Sequence, residues 1–142
     1  MRNDYNDLDV KGKWVMVMRH SPERESTHSL FAKHSPLHKK MLVARDRGAI
    51  GIIFISQIED DGLFPLNYIT GYSNAGIPAL HFSNSRADKV LRTIGWSREK
   101  IQKTMNRSLE PVTFKVNDLK LKVNVDLELV TTRGANVVGQ IK

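Results

Sequence analysis

The sequence predicts an α/β domain, and three features indicate this class. Residues 37–47 place apolar and charged side chains at helical spacing. Gly48 follows where a left-handed residue would end that helix. Residues 50–55, IGIIFI, are apolar on both faces, as in a strand that is covered on both sides. A helix that leads through glycine into a buried strand is half of an α/β unit, which defines a fold class but not a function.

Length and composition limit the class further. A chain of 142 residues forms one domain with a substantial core. No run approaches the roughly 20 apolar residues that cross a membrane, and the polar N-terminus does not resemble a signal peptide. The absence of cysteine excludes disulfides, thiolate zinc sites and cysteine nucleophiles.

The net charge of +7 is unevenly distributed. Residues 11–50 carry nine Lys and Arg against three acidic residues, whereas residues 51–85 carry three acidic residues and no Lys or Arg. A basic face for nucleic acid is therefore one functional interpretation. Because no recognition motif or interleaved aromatic residue accompanies the basic ones, a soluble surface is favoured and nucleic acid is the weaker alternative.

The first half of the chain predicts two strands around one helix. Residues 14–18 form a buried strand, and residues 19–36 form a long polar loop. The helix follows this loop, with Ser35 as a hydroxyl N-cap and Pro36 at its first position. The strand over residues 50–55 follows.

The second half predicts a loop, a strand, two helices that are capped by serine, and another strand. In order, these elements cover residues 56–76, 77–82, 83–95, 97–105 and 112–116.

A terminal hairpin is predicted from the clearest periodicity in the chain. Residues 119–129 alternate strictly between apolar and polar side chains, as in a strand with one exposed face. A turn at 131–135 and a strand at 136–141 complete a hairpin that is marginal alone. The predicted division is therefore residues 1–118 for the domain and 119–142 for the hairpin.

The residues predict no catalytic or metal site. His34 and His38 are four apart, but Pro36 separates them and no third ligand has suitable spacing. His81 lies in an apolar strand and is favoured as a hydrogen-bonded residue over a general base. The acidic run at 59–61 is favoured as a solvated turn over a cation site. A small enzyme with its site among the histidines of the first loop stays as a third interpretation.

Three ordered blocks resemble the protease-associated (PA) domain family. They are DVKGK at residues 9–13, the pattern K-x-x-x-A-x-x-x-G-A-x-G-I-I within residues 40–53, and GIPA at 76–79. Together they cover about residues 8–95. In addition, TRGANVVG at residues 132–139 resembles the opening of the di-zinc aminopeptidase domain in which PA domains are commonly inserted.

The resemblance implies a swivelling β/β/α fold, a small β-sandwich or open barrel flanked by helices. It implies a non-catalytic accessory domain of a secreted or periplasmic leucyl-aminopeptidase-like enzyme, which gates substrate access or binds peptide or protein. No cofactor is expected in this chain, since zinc belongs to the peptidase domain, whose ligands would lie beyond Lys142. The expected partners are a peptide or protein and the parent peptidase domain, without a membrane partner. The sequence leaves open whether two copies of the chain form a homodimer through the exposed hairpin.

The two long loops are the candidate contact regions, because loops on a rigid scaffold commonly carry binding. The candidate residues are Arg24, His28, Phe31, His34, Asp60, Asp61, Tyr68 and Tyr72.

Overall fold

A computed structural model describes residues 4–6, 8–24, 26, 28–60, 62–64, 74–117, 119–126, 133–135 and 139. The elements, in chain order, are β1 (Trp14–Met18), a 3₁₀ helix (Ala32–His34), α1 (Leu37–Asp46), β2 (Gly51–Ile55), β3 (Ala79–Phe82), α2 (Asn84–Arg92) and α3 (Arg98–Ser108). None of the helices in these ranges is long and apolar enough to span a membrane.

The three strands form one parallel sheet in the order β1-β2-β3. Trp14 of β1 lies opposite Gly51 of β2, and Ile52 lies opposite Ala79 of β3. All five residues of the central strand are buried. The prediction of a strand that is covered on both sides is therefore confirmed.

Helices cover both faces of the sheet. α1 packs on one face through the cluster of Val10, Val15, Ala44, Ala49, Ile52 and Phe54. α2 and α3 pack on the other face through Met18, Ile53, Ile55, Ala87, Leu91 and Ile101. Successive β2 residues contribute to opposite clusters because side chains alternate along a strand. The described elements form a three-layer α/β arrangement, and the predicted α/β class is confirmed.

Serine caps two of the three α-helices. The Ser83 and Ser97 hydroxyls each accept a hydrogen bond from the amide three residues later, which confirms both predicted caps. The predicted cap at Ser35 is wrong, because Pro36 is the N-cap residue and supplies no side-chain cap. The Ser35 hydroxyl instead donates to the Phe31 carbonyl, 3.1 Å away.

Two glycines shape the passage from α1 into β2. Gly48 has φ +83°, a left-handed conformation that residues with a side chain rarely adopt, and its N–H donates to the Arg45 carbonyl at 2.8 Å. Gly51 lies against the Trp14 ring, and a Cβ at position 51 would come within 2.5 Å of that ring. The first glycine therefore serves the turn, and the second allows the close approach of the indole.

The predicted strand at 112–116 is not formed. Val112 and Phe114 pack against the cluster beneath α2 and α3, and the Phe114 ring stacks on Trp96 at 5.3 Å between centroids. A strand also needs backbone partners, and among the described residues no strand pairs with this segment. Its apolar residues contribute to the core, but its backbone does not form the hydrogen-bond ladder of a strand.

The predicted terminal hairpin stays a prediction, because most of its second strand lies outside the described residues. Residues 119–126 contain no strand, and Leu119 remains 51% exposed. Alternation alone is insufficient, because a strand needs a neighbour for its N–H and C=O groups. The rest of the predicted hairpin, apart from 133–135 and 139, lies outside the described residues.

The described strands also differ from the sandwich or barrel that the resemblance implies. They form a single parallel sheet, and the described ranges contain no second sheet. Helices cover the apolar side chains on both faces of this sheet. The described core is therefore closed by helices and not by an opposing sheet.

Candidate functional site

The most structured polar region lies where β1 and β2 end. We call residues 19–24, 56–60 and 62–64 the carboxyl edge, because these segments leave the carboxyl ends of the two neighbouring strands or continue from them. In open α/β sheets, ligands commonly bind at this edge, where loops diverge from rigid strands. The carboxyl edge is therefore the candidate site.

Asp60 joins the loop after β2 to the loop after β1. Its Oδ1 accepts a hydrogen bond from Arg24 Nη1 at 2.9 Å, and its Oδ2 lies 3.2 Å from His20 Nε2. Arg24 Nη1 also donates to Gln57 Oε1 at 3.2 Å, while Gln57 Nε2 donates to the Ser21 carbonyl at 3.4 Å. These contacts make one continuous polar surface from two loops.

The charges in this surface are mutually dependent. Burial would raise the pKa of the Asp60 carboxyl, but the Arg24 hydrogen bond and the charges of His20, Arg24 and Arg19 together lower it. Burial lowers the pKa of His20, and Asp60 only partly opposes this effect. Near neutral pH, Asp60 is therefore an anion and His20 is largely neutral.

Lys40 supports the end of β1 from α1. Its Nζ donates to the carbonyls of Met18, Arg19 and His20 at 2.8, 3.2 and 3.2 Å. Burial lowers the pKa of Lys40 to about 8. Its side chain is turned from the surface of α1 toward the end of β1, where Nζ reaches these three carbonyls.

Arg98 supports the end of β2 in the same way from α3. Its side chain is only 9% exposed and forms a two-pronged ion pair with Asp88, at 3.0 and 3.2 Å. Its Nη1 donates to the carbonyls of Ser56 and Gln57, both at 3.3 Å. Two cations from opposite layers therefore hold the strand ends from which the loops of the site begin.

His81 is a hydrogen-bonded residue, as predicted. Its Nδ1 accepts the Phe64 N–H at 3.0 Å, so the ring proton is assigned to Nε2, which donates to Ser56 Oγ at 2.9 Å. A general base would have to accept a proton from the serine, which is the opposite direction. Because Ser56 is also fully buried, this pair is not a nucleophile and base.

Arg19 completes the carboxyl edge. Its guanidinium Cζ lies 4.1 Å above the centroid of the Phe64 ring, and that ring lies 4.3 Å from the His81 ring. The Arg19 N–H donates to the Ile55 carbonyl at 2.8 Å, which ties the end of β1 to β2. Burial first, and the Arg19 charge next, lower the pKa of His81.

The structure brings together only part of the predicted contact set. Arg24 and Asp60 are in direct contact. His28 and His34 are exposed and Phe31 is half-buried, and within the described ranges no hydrogen bond or ion pair joins these three side chains to Asp60. The remaining candidates, Asp61, Tyr68 and Tyr72, lie outside the described residues.

Sequence reasoning missed Arg19, His20, Gln57 and Phe64. A usable signal was present, because Arg19 directly follows β1 and Gln57 lies two residues after β2. Polar residues just after two neighbouring parallel strands meet at one edge of the sheet. As for metals, the described part of the chain has no group of three or more His, Asp or Glu side chains that could hold an ion.

These features define a small α/β domain in which the pair Ser56 and His81 at the described polar edge is not a nucleophile and base. The PA domain family model matches residues 2–90, more than half of the chain, so this chain belongs to the PA (protease-associated) domain family. PA domains are, in general, non-catalytic accessory domains of proteases. Comparison with curated proteins and with solved structures gave no match. The predicted family is confirmed, and the aminopeptidase parent remains a prediction.

Proposed function

We propose that this PA domain is the accessory domain of a secreted or periplasmic zinc aminopeptidase, in which it contacts peptide or protein through its carboxyl edge and gates access to the peptidase cleft. The observation that carries the proposal is the link between the loops after β1 and β2, through Arg24, Asp60 and Gln57. This link gives two loops one shared surface.

The supports beneath the loops favour recognition. Lys40 and Arg98 hold the strand ends from which both loops begin, so less conformational entropy is lost when a partner binds. The buried Ser56 and the donor role of His81 favour contact over hydrolysis at this edge. The aminopeptidase parent is supported by the TRGANVVG segment at residues 132–139, through its resemblance to the opening of that peptidase domain.

Site-resolved titration tests the contact surface. We expect an equimolar mixture of short peptides to shift the amide NMR signals of the carboxyl edge, while signals of residues 11–13 and 47–49 at the opposite edge of the sheet stay unchanged. Equal shifts at both edges, or none at either, would contradict a dedicated contact surface.

An activity assay and the gene test the rest of the proposal. The purified chain with added zinc is expected not to hydrolyse leucine p-nitroanilide, and turnover by this chain would overturn the non-catalytic role. The coding sequence after residue 142 is expected to contain the histidine and acidic zinc ligands of a peptidase. A stop codon directly after residue 142 would remove the proposed parent.

A further inference from the structure

The guanidinium of Arg19 is held against an aromatic ring, while its N–H donors have no acceptor among the described residues. The backbone N–H of Arg19 is tied to Ile55, and its guanidinium lies on the Phe64 ring at 4.1 Å. The side chain is half-buried, yet among the described residues no carboxylate or carbonyl accepts a hydrogen bond from its guanidinium. Its N–H donors are therefore oriented but available.

The neighbouring cations differ from Arg19 in this respect. Arg24 is paired with Asp60 and Gln57, and Lys40 is surrounded by three carbonyls. Asp60, the nearby carboxylate, already lies between Arg24 and His20. The other described carboxylates of this edge, Glu23 and Glu59, accept hydrogen bonds from uncharged side chains. Arg19 is therefore an arginine of this edge whose charge no described carboxylate contacts directly.

We propose that Arg19 binds a carboxylate of the peptide or protein that contacts the carboxyl edge. This inference rests on the proposed function. A guanidinium matches a carboxylate with two parallel N–H···O bonds, and an aromatic ring beneath it fixes its plane without using its donors. Partial burial strengthens such a bond relative to one in bulk water. The carboxylate is either an acidic side chain or a peptide C-terminus.

Three matched peptides distinguish these sources. The first is an acetylated and amidated alanine pentapeptide with a central glutamate, the second replaces glutamate with glutamine, and the third is the glutamine peptide with a free C-terminal carboxylate. Dissociation constants are measured by NMR, with the Arg19 Nε–Hε signal as the local readout. We expect at least one carboxylate peptide to bind about tenfold or more tightly than the neutral one, as for a charge-assisted hydrogen bond.

Two variants and one control assign that preference. Arg19→Gln is expected to abolish it, and Arg19→Lys to retain only part, because a lysine keeps the charge but lacks the paired donors. Arg47→Gln is the matched control, since Arg47 also stacks on an aromatic ring, Tyr5 at 4.8 Å, but lies at the end of α1 near the opposite edge of the sheet. It should leave the preference unchanged.

The outcomes separate the inference from the proposed function. Equal binding of all three peptides at the carboxyl edge, or a carboxylate preference that survives Arg19→Gln, would overturn the role of Arg19 and leave the contact surface intact. Failure of every peptide to bind at millimolar concentration would overturn both. A dispersed amide spectrum for each variant, unchanged away from the carboxyl edge, shows that the fold is retained.

Discussion

Arg24 Nη1 lies 2.9 Å from Asp60 Oδ1 and joins two loops across 36 positions of sequence. The Asp60 side chain is 14% exposed and that of Arg24 is 31% exposed, so water screens this pair less than a pair at the outer surface. The link therefore has a measurable energetic consequence.

We expect the Arg24–Asp60 pair to contribute about 1 kcal/mol of coupling energy, between the values for exposed pairs and for hydrogen bonds to buried charges. Arg24→Leu, Asp60→Asn and the double variant measure it in a double-mutant cycle by urea denaturation. Lys103 and Glu99, an exposed pair on α3 at 2.6 Å, provide the control and should show weaker coupling. Stronger coupling in the control would mean that burial does not strengthen the loop contact.

Lys40→Met should destabilise the domain by about 2 kcal/mol. The variant keeps much of the side-chain volume but leaves the carbonyls of Met18, Arg19 and His20 without the Nζ donor. Lys39→Met is the matched control, because Lys39 is exposed and its Nζ contacts a single carbonyl. If both variants lower the free energy of unfolding equally, the conclusion that Lys40 stabilises the end of β1 is wrong.

The stability of the domain should fall as the pH drops below about 6.5. The folded pKa of His81 lies below its ordinary value of 6.5, so the unfolded state takes up the proton first. Protonation of Nδ1 would also place a donor against the Phe64 N–H. Denaturation midpoints between pH 7.5 and 5 test this expectation.

The variant His81→Gln should show a shallower loss of stability over the same pH range. Some dependence should remain, because burial also lowers the pKa of His20. NMR titration of the His81 ring should give a value below 6.5. A value above 6.5 would reverse the sign of this contribution.

Gly51→Ala should cost about 1–3 kcal/mol, the range for overpacking a well-filled core. The new Cβ would lie 2.5 Å from the Trp14 ring. In a Trp14→Leu background, the same substitution should cost less, because the smaller side chain leaves room. Gly134→Ala is the control, since none of the described residues lies within 4 Å of a Cβ at position 134. An equal cost in both backgrounds would show that the indole is not the obstacle.

Local rules were sufficient for several elements of the fold. The uninterrupted apolar run of β2 predicted a strand covered on both sides, and Ser83 and Ser97 predicted two helix starts. The same rules failed at Ser35, whose hydroxyl bonds to the Phe31 carbonyl, and at residues 112–116, which lack a partner strand among the described residues. Both failures depend on which hydrogen-bond partners the folded chain offers, and periodicity does not record that.

The sequence by itself determined the α/β class, the PA family and the loops that were candidates for binding. These depend on local spacing and on motifs of a few residues. Only the tertiary structure decided that Lys40 turns inward, that Asp60 meets Arg24, and that Arg19 lies oriented on Phe64. The physical reason is that hydrogen bonds and ion pairs act over a few ångströms. Parallel strands bring residues that are tens of positions apart within this distance at one edge of the sheet.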